Sequence, residues 1–204
     1  MFKNARMYRL GAPFAHDAAA LEALLETRRF RPCGPVETAA MGWSAPLGEE
    51  TAALVHGVGT CLLLCARKQE RLLPSAAVAE AVDERIVEIE TGEARDLGRT
   101  ERRALREQVV TEMLPRAFTR SRRTLLYIDT ESSWLVVDAA SEKQAEEVVS
   151  MLRQTLETLP AKPPAPRQPP ADVLTAWLLD TSAPADFVPA DSCELRDLQD
   201  SASV

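Results

Sequence analysis

The sequence predicts the α+β class: a mixed or antiparallel sheet packed with helices, with a helical hairpin projecting from it as a finger. Three observations lead there. Residues 61–66, CLLLCA, are an apolar run too short and too uniform for an amphipathic helix, which suits a central strand covered on both faces. Residues 124–130 and 133–138 alternate like the arms of an antiparallel hairpin turning at Glu131 and Ser132. Helical stripes separate these strands without the regular alternation of a parallel βαβ fold.

Residues 2–10 read as a first strand, with Phe2, Met7, Tyr8 and Leu10 as its apolar members. Asp17 is placed to cap a helix in which Leu21, Leu24, Leu25 and Arg28 recur at helical spacing, with Arg28 and Arg29 in the last turn against the dipole. Phe30, Pro32, Gly34 and Pro35 end it. A strand over 36–43 follows, then a loop through Pro46 and Gly48. Next comes the segment 52–67, which holds the central strand. Arg67, Lys68 and Arg71 close that strand before Pro74.

Ser75 stands where it would cap a helix with Val78, Val82, Ile86 and Ile89 inward, ended by Gly92. Thr100 would cap a second helix, with Leu105, Val109 and Met113 spaced by four and Arg102, Arg103 and Arg106 mostly on other faces. Both apolar stripes are narrow for fully packed helices, so an antiparallel pair over 75–114 is expected to stand out from the body. Pro115 stops it. Residues 115–123 then read as a basic loop in which Arg116, Arg120, Arg122 and Arg123 surround Phe118. If Thr130 faces Ser133 in the hairpin that follows, Tyr127, Trp134 and Val136 share one face and Ile128, Leu135 and Val137 the other. With both faces apolar, the hairpin is expected inside.

Ser141 and Gln144 form a capping-box pattern before a long helix striped by Ala145, Val148, Val149, Leu152, Leu156 and Leu159. Residues 159–170, LPAKPPAPRQPP, make a semi-rigid spacer. A short helix or strand over 173–179 precedes a polar tail to residue 204, expected to fray. The domain reading is a central body from 1–74 and 115–160, a finger at 75–114 with its basic tip at 115–123, and a linker with the start of a further region at 161–204.

A chain of 204 residues can bury a real core, and 46% hydrophobic with 27% charged residues is a globular balance, so most of it should fold. The net charge of −7 argues against a uniformly basic coat. Charge is unevenly spread, however. From Arg95 to Arg123 there are nine arginines against Asp96, Glu101, Glu107 and Glu112, a local +5 that leaves −12 for the remainder. Such a segment on an acidic body can present a localised anion site, to which Arg99, Arg102, Arg103, Arg106, Arg67, Lys68 and Arg71 would add. Arginines contact phosphates and an aromatic can stack or wedge, so Phe118 and its neighbours suit a polyanion; the other reading is a solvated loop with Phe118 tucked into the core. No apolar run reaches the roughly 18 residues of a membrane span and the N-terminus lacks a signal peptide's core, so a cytoplasmic protein with reduced Cys33, Cys61, Cys65 and Cys193 is expected.

No catalytic constellation stands out. Cys61 and Cys65, with His56 nearby, lie about 13 Å apart on a strand, too far to share one zinc. Nothing around Cys33 or Cys193 marks an activated thiol beside His16 or His56. Asp129 and Asp138 could be a nuclease's metal-binding pair, but strand-end and turn roles suit them better. The string HGVG at 56–59 lacks a nucleotide-loop pattern, and Trp43, Trp134 and Trp177 suit a core or interface. The expectation is therefore a non-enzymatic protein without metal or cofactor.

Several strings in order carry a resemblance: RPCG at 31–34, MGW at 41–43, LCARKQERLLPS at 64–75, LPRAF at 114–118, YIDT at 127–130 and SEKQAEEVVSMLRQTLETLP at 141–160. Together they resemble the bacterial recombination-associated RdgC family over about residues 2–160, with a fainter continuation at 177–198. The resemblance implies a nucleoid-associated, sequence-independent DNA-binding homodimer that closes into a ring around duplex DNA, with single strands as a further ligand, and that restrains the RecA recombinase. It implies that a finger with a basic, phenylalanine-bearing tip helps close the ring and engage DNA; the matching positions are Arg116 and Phe118, with Arg120 nearby. Members of the family run on past the position of Val204, so a shortened form with impaired ring closure is expected, binding DNA more weakly as an open dimer or monomer. A module that contacts a recombination or replication partner through the finger is the alternative.

Overall fold

In a computed structural model, which describes residues 2–48, 51–180 and 183–187, a seven-stranded antiparallel sheet runs in the order β2-β4-β5-β6-β1-β7, with β3 also paired to β4. The chain divides into two compact units, 1–163 and 164–204. The first holds β1 (Arg6–Leu10), α1 (Ala18–Glu26), β2 (Ala39–Ser44), β3 (His56–Val58), β4 (Cys61–Leu72), α2 (Ser75–Glu93), α3 (Arg99–Met113), β5 (Phe118–Asp129), β6 (Trp134–Val137), α4 (Glu142–Leu156) and β7 (Ala161–Lys162). The α+β class is as the sequence predicts. The second unit contains α5 (Pro170–Asp180), a helix over the segment left open between helix and strand, and within that unit Trp177 stacks on Phe187. Cys193 and the tail beyond residue 187 lie outside the described residues.

Strand alternation sets the core. Leu62, Leu64 and Ala66 of β4, Leu126 and Ile128 of β5, Leu135 and Val137 of β6, and Tyr8 and Leu10 of β1 face one way. There they meet Leu21 and Leu25 of α1 and Ala145, Val148, Val149, Leu152 and Leu156 of α4 in one buried cluster. Trp43 is fully buried in it and donates its indole N–H to Thr155 Oγ1 at 3.0 Å, which meets the cost of placing a polar ring in the core. Gly42 is obligatory beside it, because a Cβ there would lie 2.5 Å from Phe30 Cα.

The hairpin β5–β6 adopts the expected register, with Tyr127 opposite Val136 and Ile128 opposite Leu135. Its second face is less enclosed than expected: Tyr127 and Trp134 are only half-buried, flanked by Phe2 and by Arg9 stacked at 4.9 Å over the Trp134 ring. On the central strand the second face is closed at Cys65, which is fully buried, while Cys61 and Leu63 on that face are half-buried.

Several boundaries move. The first strand starts at Arg6 rather than Phe2, and β2 starts at Ala39 rather than Val36. The segment 52–67 splits into β3 and β4 at a turn where Gly59 takes φ +58. Asp17 caps α1 as expected, accepting from Ala20 N at 2.8 Å, but the helix stops at Glu26 before Arg28 and Arg29. Ser75 and Thr100 are helical residues rather than caps: Pro74 precedes α2, and Gly98 precedes α3 with its N–H donating to Glu101 at 2.8 Å. Gly92 lies within α2, and Ala94, in the left-handed region at φ 51, ends it. Ser141 caps α4, yet Gln144 turns to Thr124 Oγ1 instead of completing a capping box, because buried Thr124 offers it a partner. The proline-dense stretch begins inside the sheet, where Ala161 pairs with Leu10.

Val78, Val82 and Ile86 of α2 and Leu105 and Val109 of α3 form a second apolar cluster of their own. Ion pairs between Arg85 and Glu112 and between Arg102 and Glu90 show that the two helices run antiparallel.

Candidate nucleic-acid interface

The basic loop expected at 115–123 is a strand over most of its length. Leu114–Arg116 form a 3₁₀ turn, and from Phe118 onward β5 pairs residue for residue with β4, Phe118 opposite Leu72 and Arg123 opposite Arg67. Period-two alternation therefore sorts the candidates onto two faces. Phe118, Arg120 and Arg122 point to the side on which Thr124 and Leu126 enter the core; Thr119, Ser121 and Arg123 point to the other. The first six residues of β5 are all exposed.

Phe118 is 84% exposed and lies beside Leu72, itself 43% exposed, so it is not tucked into the core. Arg122 makes no hydrogen bond or ion pair among the described residues, nor do Arg116, Arg99 and Arg106. Arg99, Arg103 and Arg106 follow one stripe of α3, with Arg103 in an exposed pair with Glu107 at 3.3 Å. Arg120 reaches Glu70 at 3.3 Å and stays largely solvent-accessible. Exposed pairs of this kind are weak, so Arg103 and Arg120 can exchange a carboxylate for a phosphate at little cost.

Other candidates are committed elsewhere. Arg71 donates to Leu114 O at 2.8 Å and Gly34 O at 3.0 Å, fastening the end of α3 and the 31–37 turn to β4. Arg123 donates to Ala45 O at 2.6 Å and Pro46 O at 3.2 Å. Arg67 stacks over Phe30 at 4.5 Å. Arg102 binds Glu90 and Leu97 O. Lys68 bridges Glu70 and Glu147, each at 2.9 Å; burial opposes its charge, but Glu147 and Glu70 outweigh that and hold its pKa above the ordinary value. Glu70 in turn is held below the usual carboxylate range, first by Lys68 and then, against some burial, by Arg120. The twelve candidates thus separate into outward-facing residues and a set of internal ties. Sequence reasoning missed Leu72, which joins Phe118 only through cross-strand pairing.

The nuclease-like carboxylates do not converge. Asp129 accepts from the backbone N–H groups of Ser132 and Glu131 in the β5–β6 turn, and Ser132 leads in lowering its pKa. Asp138 accepts from Lys3 N and Asn4 N. Among the described residues no group of three or more His, Cys, Asp or Glu side chains comes together as a metal site would require, and Cys33, Cys61 and Cys65 are free thiols. No helix among them is long and apolar enough to cross a membrane.

Across residues 1–204 the chain matches the family model described as "RdgC: Putative exonuclease, RdgC". It is 43% identical over 195 residues to the recombination-associated protein RdgC of Tolumonas auensis, an overlap of 96% of this chain and 65% of that protein. Against the protein of the same name from Psychromonas ingrahamii the identity is 38%, over 95% of this chain and 64% of the relative. Against that of Haemophilus influenzae it is 39%, over 100% and 67%. The chain spans about two thirds of the length of the curated relatives it matches.

Proposed function

The chain belongs to the RdgC family, and from that premise we propose that it is a recombination-associated protein that binds duplex DNA without marked sequence preference and catalyses no reaction. The observation that carries this reading is the exposed row on β5, where Phe118, Arg120 and Arg122 stand on one face with Arg116 just before them. Guanidinium groups such as those of Arg116 and Arg122, which meet no carboxylate among the described residues, neutralise phosphates and release counterions, and Arg120 can trade its exposed contact with Glu70 for one; such contacts position the protein without reading bases. In this proposal α2 and α3 form the finger, supported by an apolar cluster of their own, and the arginine stripe of α3 extends the cationic surface. A homodimer would close around duplex DNA, slow its release and limit access by RecA.

Purified protein should retard several duplexes of unrelated sequence to a similar extent in a mobility assay. No retardation of any duplex would leave the partner-binding reading of the finger in its place. Retardation of only one sequence would mean base readout. The nuclease named in the family description is tested in the same tubes by adding magnesium or manganese, with end-labelled duplex expected to keep its length.

A further inference from the structure

Beyond the DNA contact, the geometry points to a second use of β5: we propose that its open edge, residues 118–123, takes up an extended acidic peptide from a partner protein as an added strand. On one side β5 is paired with β4 along its full length. On the other, β6 pairs only with residues 126–129, and the last bond is Asp138 N–H to Leu125 O at 2.8 Å. In a strand, each residue directs its N–H and C=O to the same side and successive residues alternate. Leu125 points toward β6, so Thr119, Ser121 and Arg123 point their backbone groups to that side as well, past the end of β6. Among the described residues no strand meets them. Six regular, exposed residues make a template for strand addition.

Charge selects the occupant. Arg120 and Arg122 stand on one face of the edge, where cross-strand neighbours of opposite charge are favoured. Phe118 and Leu72 add an apolar contact at one end. A second copy fits poorly: a two-fold pairing that continues the sheet and spans most of the segment puts Arg120 opposite Arg120 or opposite Arg122, and like charges directly opposite repel. An acidic strand makes the same backbone bonds and meets both arginines with carboxylates.

The probe is a fluorescent octapeptide of alternating glutamate and valine, with its lysine–valine counterpart and a fully N-methylated version as controls, titrated onto the whole chain. The glutamate peptide should bind and slow amide exchange at Thr119, Ser121 and Arg123; the lysine peptide should not. N-methylation, or Ser121→Pro, should weaken binding by about tenfold or more, since each removes ladder hydrogen bonds while leaving every charge in place. Replacing Arg120 and Arg122 by Ala should also weaken it. Duplex DNA should compete with the peptide, yet Ser121→Pro should retain DNA binding. Absence of glutamate-peptide binding, equal binding of the N-methylated form, or equal binding of the lysine form overturns the proposal, and the peptide controls hold even if Ser121→Pro does not fold. Peptide binding without DNA binding would sink only the function proposed above; DNA binding without peptide binding would sink only this inference.

Discussion

Arg71 and Arg122 sit on adjacent strands and are the same residue type, yet their surroundings give them opposite tasks. Arg71 saturates backbone carbonyls at Gly34 and Leu114, so Arg71→Ala leaves acceptors unmet and should lower unfolding free energy by about 2–3 kcal/mol. Arg122 touches no internal partner among the described residues, so Arg122→Ala should leave the denaturant midpoint unchanged and weaken DNA binding alike on all sequences. A stability loss for Arg122→Ala equal to that for Arg71→Ala would place both in the framework. Composition showed a cluster of arginines but not this division, because it depends on which carbonyls the fold brings within reach.

Glu37 gives a pH signature at the same scale. It accepts from both guanidinium nitrogens of Arg31 at 2.6 Å and from Gly34 N at 2.7 Å, and these contacts, Arg31 first, draw its pKa down to about 2. A carboxylate whose pKa is depressed on folding stabilises above its unfolded value near 4.5, and that contribution fades as the pH falls toward 2. The melting temperature of the native chain should therefore exceed that of Glu37→Gln at pH 6, and the two should converge near pH 2. A constant difference across that range would show that the pair is not what titrates.

At the scale of elements, β5 is the main lesson. FTRSRR reads as a loop because none of its residues is apolar after Phe118, and alternation is invisible when both faces are polar. It is a strand because β4 offers twelve residues of continuous pairing. The apolar half, 124–130, declared itself by its pattern, and its register with β6 followed from the turn. The existence of α1 to α4 was equally legible, while α5 stayed open between helix and strand, and caps depended on tertiary partners: Gln144 chose Thr124 over its own helix end. The α2–α3 pair, with a cluster separate from the main core, should open more readily than the sheet. Amides of Val82 and Val109 should exchange faster than those of Leu64 and Leu126, and Leu105→Ala should cost about 2–4 kcal/mol. Equal protection throughout would mean that the pair is locked to the body.

For the whole molecule, a net charge of −7 coexists with an outward row of arginines on β5 and another on α3. An acidic body repels polyanion wherever that row is absent, so binding should be confined to one surface and should depend steeply on ionic strength. Family membership was legible from ordered strings spread across the chain, and the matches to relatives agree with it. The most direct measurement is the salt dependence of duplex affinity for the native chain beside a variant with Arg116, Arg120 and Arg122 all changed to Ala. Arg99, Arg106, Arg116 and Arg122, without a partner among the described residues, and Arg103 and Arg120, which can trade a carboxylate for a phosphate, correspond to a log–log slope of about −5.4 per protomer, and the variant's slope should be shallower by about 2.7. An affinity indifferent to salt, or a slope that the three substitutions leave unchanged, would contradict the assignment of DNA to this surface.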